Sequence, residues 1–304
     1  MERNTIIAIA VSVLALIAVP FGSKSDYLLG VLIVSAIFAV FAASWDFMSG
    51  QTGRENFGHA LFIGAGAYSA AYFNLELGLS PFFTVPLGGA VALVCAVIIG
   101  LPTLRLTGPY FAVATLVAAS IMERLTLVLW ETTGGEEGLT GLSPLAPNPV
   151  ARYYVALAFL AVTVGVLIVL TRSRWGLILR AIRGDEAAAQ AAGTNTTLHK
   201  MGALLVSAFV AGMAGAVYAH YQQSVGPHVF GVILTVTIIT MAYVGGIGTT
   251  YGAIAGAFLL TIMTEGLRQF GEFRLLVYTL FLIAIIRFFP DGLLLPIFRR
   301  RGAS

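Results

Sequence analysis

Apolar residues run along this chain in long stretches, separated by short polar breaks. The clearest runs are 5–21, 28–48, 81–101, 110–130, 153–171, 202–221 and 275–289. They reach or approach the roughly 20 residues that carry a helix across about 30 Å of hydrocarbon. Three further segments, 60–73, 229–244 and 251–267, are shorter or interrupted by glycine. The pattern predicts an all-α membrane protein, a polytopic bundle of about ten transmembrane helices in a single domain over 1–304, with the short segments either spanning or re-entrant. None of the runs alternates apolar and polar residues as a barrel strand does, which disfavours a β-barrel.

Composition agrees. Hydrophobic residues make up 58% of the chain and charged residues 10%, with a mean hydropathy of +0.92. Soluble domains carry about 25% charged residues, so a water-soluble globule is excluded. The first run is too long for a secretory signal and no small-x-small cleavage site follows it, so a retained helix is expected. The single cysteine, Cys95, lies inside a run; it provides no disulfide framework or cysteine metal motif and reads as a packing residue.

Basic residues orient the bundle. With the N-terminus inside, the inner segments collect Arg3, Arg54, Arg105, Arg172, Arg174, Arg180, Arg183, Lys200, Arg287 and Arg299 to Arg301, and the outer ones Lys24, Arg152, Arg268 and Arg274. Twelve against four favours both termini on the cytoplasmic side of a cytoplasmic membrane. Five crossings per half would invert the second half relative to the first, as an inverted repeat requires.

One charged island then stands out, RAIRGDEAAAQAAGTNTTLHK at 180–200, within an inner loop at about 172–202. Asp185 can cap a helix, Glu186 meets its positive end, Ala187 and Ala188 begin an alanine ridge, and Gly193 supplies a left-handed stop. The helix, of about two turns, is too short to persist in water alone. It is either a ridge that enters a groove on another protein or a solvated connector.

The island resembles the cytoplasmic "EAA" coupling loop of ABC importer permeases. Glu186-Ala187-Ala188, closing at Gly193 and preceded by Ser173-Arg174-Trp175-Gly176 and Arg180-Ala181-Ile182-Arg183, is similar to the branched-chain amino acid permease family of LivM type. Four other stretches carry the same resemblance. Gly50-Gln51-Thr52-Gly53 followed by Gly58-His59-Ala60-x-Phe62-x-Gly64-x-Gly66-Ala67-Tyr68 is one, although Arg54, Glu55 and Asn56 replace the family's Gln-x-Ser. The others are Trp130 with Thr133-Gly134-Gly135 and Gly138-Leu139-Thr140-Gly141; Gly245-Gly246-x-Gly248-Thr249 with Gly252 and Gly256; and Phe289-Pro290-x-Gly292-Leu293. The resemblance implies a bacterial or archaeal importer subunit. Its partners would be a second permease in a heterodimer, two ATP-binding subunits and an extracytoplasmic binding protein, in a lipid bilayer and without nucleic acid.

Gly248, Gly252 and Gly256, four apart, predict a helix face for close backbone approach, as does Gly212-x-x-Gly215. Gly58, His59, Gly64, Gly66 and Tyr68, together with Gly245, Gly246 and Gly248, line either such contacts or a substrate path, since glycine-broken segments in the two halves of a transporter often mark one. His59 faces the path or bonds a backbone carbonyl near Gly58. Glu123 and Arg124 need protein partners or a polar face. His220 and His228, eight apart, are poorly spaced for metal and read as interfacial residues.

No Gly-Lys-Ser/Thr occurs, because Lys24 and Lys200, the only lysines, follow Ser23 and His199. The chain is therefore not expected to be an enzyme or to hold a cofactor, and no run carries the carboxylates of a proton relay. Hydrolysis would come from partner subunits. A permease for urea or short amides, or an ATP-independent channel for a small neutral solute, stays open beside the amino acid importer.

Overall fold

The computed structural model describes residues 16–21, 25–106, 108–267 and 287. The run at 275–289, the signature at 289–293 and most of the run at 5–21 lie outside the described residues. The described elements are α1 (Asp26–Thr52), α2 (His59–Leu77), α3 (Pro81–Thr103), α4 (Pro109–Val128), α5 (Trp130–Thr133), β1 (Leu139–Thr140), α6 (Pro149–Arg172), α7 (Arg174–Gly184), α8 (Glu186–Ala191), α9 (Thr196–Gln222), β2 (Ser224–Val225), a 3-10 turn (Pro227–Phe230), α10 (Val232–Gly245) and α11 (Thr250–Gly266). The described residues form a helical bundle; the two strands among them are one antiparallel two-residue ladder, Leu139 opposite Val225 and Thr140 opposite Ser224.

Five described helices, α1, α3, α4, α6 and α9, are long and apolar enough to cross a bilayer, and α10 with α11 makes up to six if that bent pair is one span. Their apolar runs are buried to different extents, 72% and 61% in α1 and α9 against 28%, 22% and 22% in α3, α4 and α6. The first two are therefore the centre of the bundle. Ser25 caps α1, its hydroxyl accepting the Leu28 N–H, and Gly53 ends it with φ +71°.

Lipid tails are as apolar as leucine, so helices in a membrane associate through close packing of small residues. Here α2, α3 and α9 meet in that way. A Cβ on Gly66 would lie 2.1 Å from the Gly212 carbonyl oxygen, one on Gly215 2.1 Å from that of Ile63, and one on Gly88 2.8 Å from that of Gly66. The expectation for Gly212-x-x-Gly215 is met.

The expectation for 248, 252 and 256 is met only in part. Gly252 and Gly256 lie in α11, packed on the Gly245 and Met241 carbonyls. Gly248 belongs to no helix: it sits with φ +82° in the break where α10 and α11 turn by 115°. A left-handed residue interrupts the helical repeat, so the three glycines share no face.

His220 is also corrected. It is fully buried rather than interfacial, with Nε2 2.6 Å from the Thr84 hydroxyl and Nδ1 2.8 Å from the Ser143 carbonyl oxygen. His228, in the 3-10 turn, is exposed.

Candidate functional site: the charged loop and the broken helix

Residues 173–195 form two short helices laid across one end of the bundle. Ser173 caps α7, which buries Gly176, Leu179 and Ile182 against the spans. Asp185 both ends α7 and caps α8, its Oδ1 accepting the Ala188 N–H at 3.0 Å. Gly193, at φ +83°, closes α8 through its N–H to the Gln190 carbonyl, and Thr194 donates back to the Ala189 carbonyl. The predicted cap, alanine ridge and left-handed stop thus all occur.

Glu186 is turned inward. Its Oε1 accepts from Lys200 Nζ and from the Thr196 hydroxyl, and its Oε2 accepts from Arg54 Nη2 at 2.7 Å. Lys200, in the first turns of α9, is only 2% exposed, and an ammonium that deep requires a counter-charge. The outer face is left to Ala187, Ala188, Gln190 and Ala191, all exposed.

Burial raises the Glu186 carboxyl, but the Lys200 and Arg54 hydrogen bonds outweigh it and hold the group down at about 2. The stabilisation from this network is complete above the ordinary value of 4.5 and is lost only as pH falls through about 2. Hydrogen exchange across 186–196 should therefore show the same protection from pH 5 to 8 once corrected for intrinsic rates. Glu186→Gln should lose protection there about tenfold or more, because Lys200 is left without its counter-charge, a loss of about 1–3 kcal/mol. Unchanged protection in that variant would show that the three-way contact does not hold the loop.

The residues that depart from the family pattern are all engaged. Arg54 reaches Glu186, and Glu55 accepts from the Tyr243 hydroxyl. Asn56 is buried between Trp45, whose indole N–H donates to its carbonyl at 2.7 Å, and the Ser49 hydroxyl, which accepts its N–H at 3.0 Å. The segment between α1 and α2 is therefore tied to the bundle, with Asn56 buried and Glu55 exposed. Nothing in the local sequence marks this, because each partner lies on another element or a turn away.

His59 is fully buried, with Nε2 2.9 Å from the Ser44 hydroxyl rather than on a carbonyl near Gly58. The other glycine-segment residues lie in close packing. A Cβ on Gly58 would meet the Thr115 carbonyl oxygen at 2.2 Å, and one on Gly64 the Phe230 ring at 2.4 Å. The Tyr68 ring stacks on Phe230 with centroids 5.5 Å apart. At the break, a Cβ on Gly245 would lie 1.8 Å from the Gly252 carbonyl oxygen, and Gly246 has φ +112°. The two glycine segments are joined where the Ala60 N–H donates to the Thr235 hydroxyl at 3.1 Å.

The open space lies elsewhere, along α4. A cavity of about 730 Å³ is bounded by Arg54, Glu55, Phe57, Ala112, Val113 and Leu116, and a shallower one of about 330 Å³ by Val117, Ser120, Ile121, Arg124 and Val128. Arg124 is exposed on this face and makes no ion pair among the described residues, while Glu123 is half-buried. The signal for this face was an arginine and a serine at helical spacing on an otherwise oily helix.

Residues 27–286 match the family model described as branched-chain amino acid transport system / permease component. The high-affinity branched-chain amino acid transport system permease protein LivM of Salmonella typhimurium is 27% identical over 86% of this chain and 68% of its own length. That of Escherichia coli is 27% identical over 96% of this chain and 75% of its own length. The ribose import permease protein RbsC of Haemophilus influenzae is 23% identical over 88% of this chain and 85% of its own. No solved structure matches. With its spanning helices and a match over most of its length, the chain belongs to the family of permease components of branched-chain amino acid transport systems.

Proposed function

We propose that this chain is a transmembrane subunit of an ABC importer for branched-chain or other hydrophobic amino acids, with the 173–195 segment as the contact for separate ATP-binding subunits. The observation that carries this reading is α8, anchored inward by Glu186 and presenting outward only Ala187, Ala188, Gln190 and Ala191. Such a helix has too little apolar surface to hold lipid firmly, so its value lies in its shape against a protein partner. The partners are a second permease, two ATP-binding subunits and an extracytoplasmic binding protein. Support for the path comes from α4, where an arginine on the outward face of a spanning helix calls for protein or water beside it rather than lipid.

Reconstitution in liposomes with these partners should give uptake of leucine, isoleucine or valine that depends on ATP and on the binding protein. Solute flux through this chain alone without nucleotide would overturn the importer reading in favour of a channel, and uptake of an amide or a sugar in place of the amino acids would overturn the substrate.

Orientation is tested separately. In a Cys95→Ala background, a cysteine at Ala191 should react with an impermeant thiol reagent only from the cytoplasmic face, and one at Glu137 only from outside. Both positions are exposed in the structure. Labelling of the Ala191 cysteine in intact cells would reverse the topology and remove the loop from reach of any cytoplasmic ATPase.

A further inference from the structure

The break between α10 and α11 is gripped from two sides. From α1 comes Asp46, fully buried, whose Oδ1 accepts the Gly248 N–H at 2.5 Å while Oδ2 has no hydrogen-bond partner among the described residues. Gln51, one and a half turns further along α1, donates Nε2 to the Gly248 carbonyl at 2.9 Å. From the charged loop comes Arg183, near the end of α7, which donates Nη1 to the Gly50 carbonyl. These groups crowd two glycines. A Cβ on Gly248 would lie 2.2 Å from Arg183 Nη1, and one on Gly50 would lie 2.1 Å from Asp46 Oδ1 and 2.8 Å from the Gly248 nitrogen.

A half-satisfied carboxyl at this depth is costly, and an apolar residue of similar size would pack without that cost. Backbone that leaves the helix at membrane depth must also be satisfied by protein, which accounts for Oδ1 but not for Oδ2. The Arg183 guanidinium, with several donors and one of them spent on the Gly50 carbonyl, crowds the same Gly248 that Asp46 caps, yet the two form no ion pair among the described residues. Transmission between distant sites requires an element with two arrangements that both sites bias, and a multi-donor cation that holds one acceptor while an unused carboxylate oxygen lies on the other side of the same glycine can supply one.

We propose that Arg183 exchanges between the Gly50 carbonyl and the free Oδ2 of Asp46 as the 173–195 segment moves, and that this exchange clamps or releases the break at 246–249. Arg183 is the moving half, carried on α7, and Asp46 the fixed half, carried on the central helix α1. Both are positioning residues. The proposal rests on the reading of 173–195 as the coupling loop and adds the route by which its displacement reaches the spans.

The test uses the whole importer in liposomes, with uptake and ATP hydrolysis measured together. Asp46→Asn keeps an acceptor for the Gly248 N–H but puts a donor where Oδ2 stands, so a residue that merely caps the break would tolerate it. Asp46→Asn and Arg183→Gln should each assemble and hydrolyse ATP, while uptake per ATP falls on the order of tenfold. The double variant should lose no more than the worse single one, since the two act as a unit. Uptake per ATP unchanged in both single variants, or losses that multiply in the double, would overturn the latch.

Should a variant fail to assemble, a cysteine at the half-buried Ile247 in a Cys95→Ala chain gives an independent reading. Its reaction with a thiol reagent should change when ATP binds the complex, and an unchanged rate overturns the proposal. Absence of ATP-driven uptake in the unsubstituted chain would defeat the coupling reading and the latch with it; normal uptake there with normally coupled variants defeats the latch alone.

Discussion

Gly66→Leu should prevent the bundle from assembling. The glycine faces backbone: a Cβ there lands 2.1 Å from the Gly212 carbonyl oxygen and 2.5 Å from its carbonyl carbon and Cα, and no rotamer change relieves such a clash. Overpacking typically costs about 1–3 kcal/mol when side chains can shift. A backbone contact between α2 and the central helix α9 has no such freedom, so even Gly66→Ala should lower the yield of folded protein sharply. Gly165→Ala on α6 is the control, since nothing lies within 4 Å of its Cβ position and it should be tolerated. The measurement is the fraction of solubilised protein that runs as a single species together with its thermal midpoint. A Gly66→Leu chain that assembles normally yet transports nothing would move Gly66 from packing to the substrate path.

The parts legible from sequence were those determined by neighbours along the chain. The apolar runs gave α1, α3, α4, α6 and α9, because burial in lipid is a property of each segment alone. The cap at Asp185 and the stop at Gly193 were legible because capping groups sit within four residues of what they cap. What was missed depends on partners far away. Glu186 reads from sequence as a first-turn acid at the positive end of its helix, and in the fold it anchors the loop, with Arg54 132 positions earlier. Asp46 attracted no notice in an oily run, and its partner is 202 positions away. The glycine spacing at 248, 252 and 256 suggested a helix face, and the positive φ at Gly248 that broke it has no signature in spacing.

This division between local and distant determinants bears on the charged loop, where α8 is shaped locally but held by distant groups, so its surface can be changed without disturbing its fold. Ala188 is exposed, and arginine is nearly as good a helix former as alanine. Ala188→Arg should therefore leave α8, the Glu186 contacts and the spans intact while placing a long cation on the ridge that the proposed function assigns to the ATP-binding subunits. A clash in a tightly fitted interface centre costs about 2 kcal/mol or more, so association with the ATP-binding subunits and ATP-driven uptake should fall by well over tenfold. Gly193→Ala provides the contrast. Its Cβ would meet nothing within 4 Å, so its cost is confined to the left-handed backbone, about 1–2 kcal/mol, and falls on the loop's own order. Association should be much more sensitive to Ala188→Arg than to Gly193→Ala, and protection from hydrogen exchange across 186–196 more sensitive to Gly193→Ala. Normal association and uptake with Ala188→Arg would mean that no partner reads this ridge, and 173–195 would then be a connector whose anchors serve only to keep it folded.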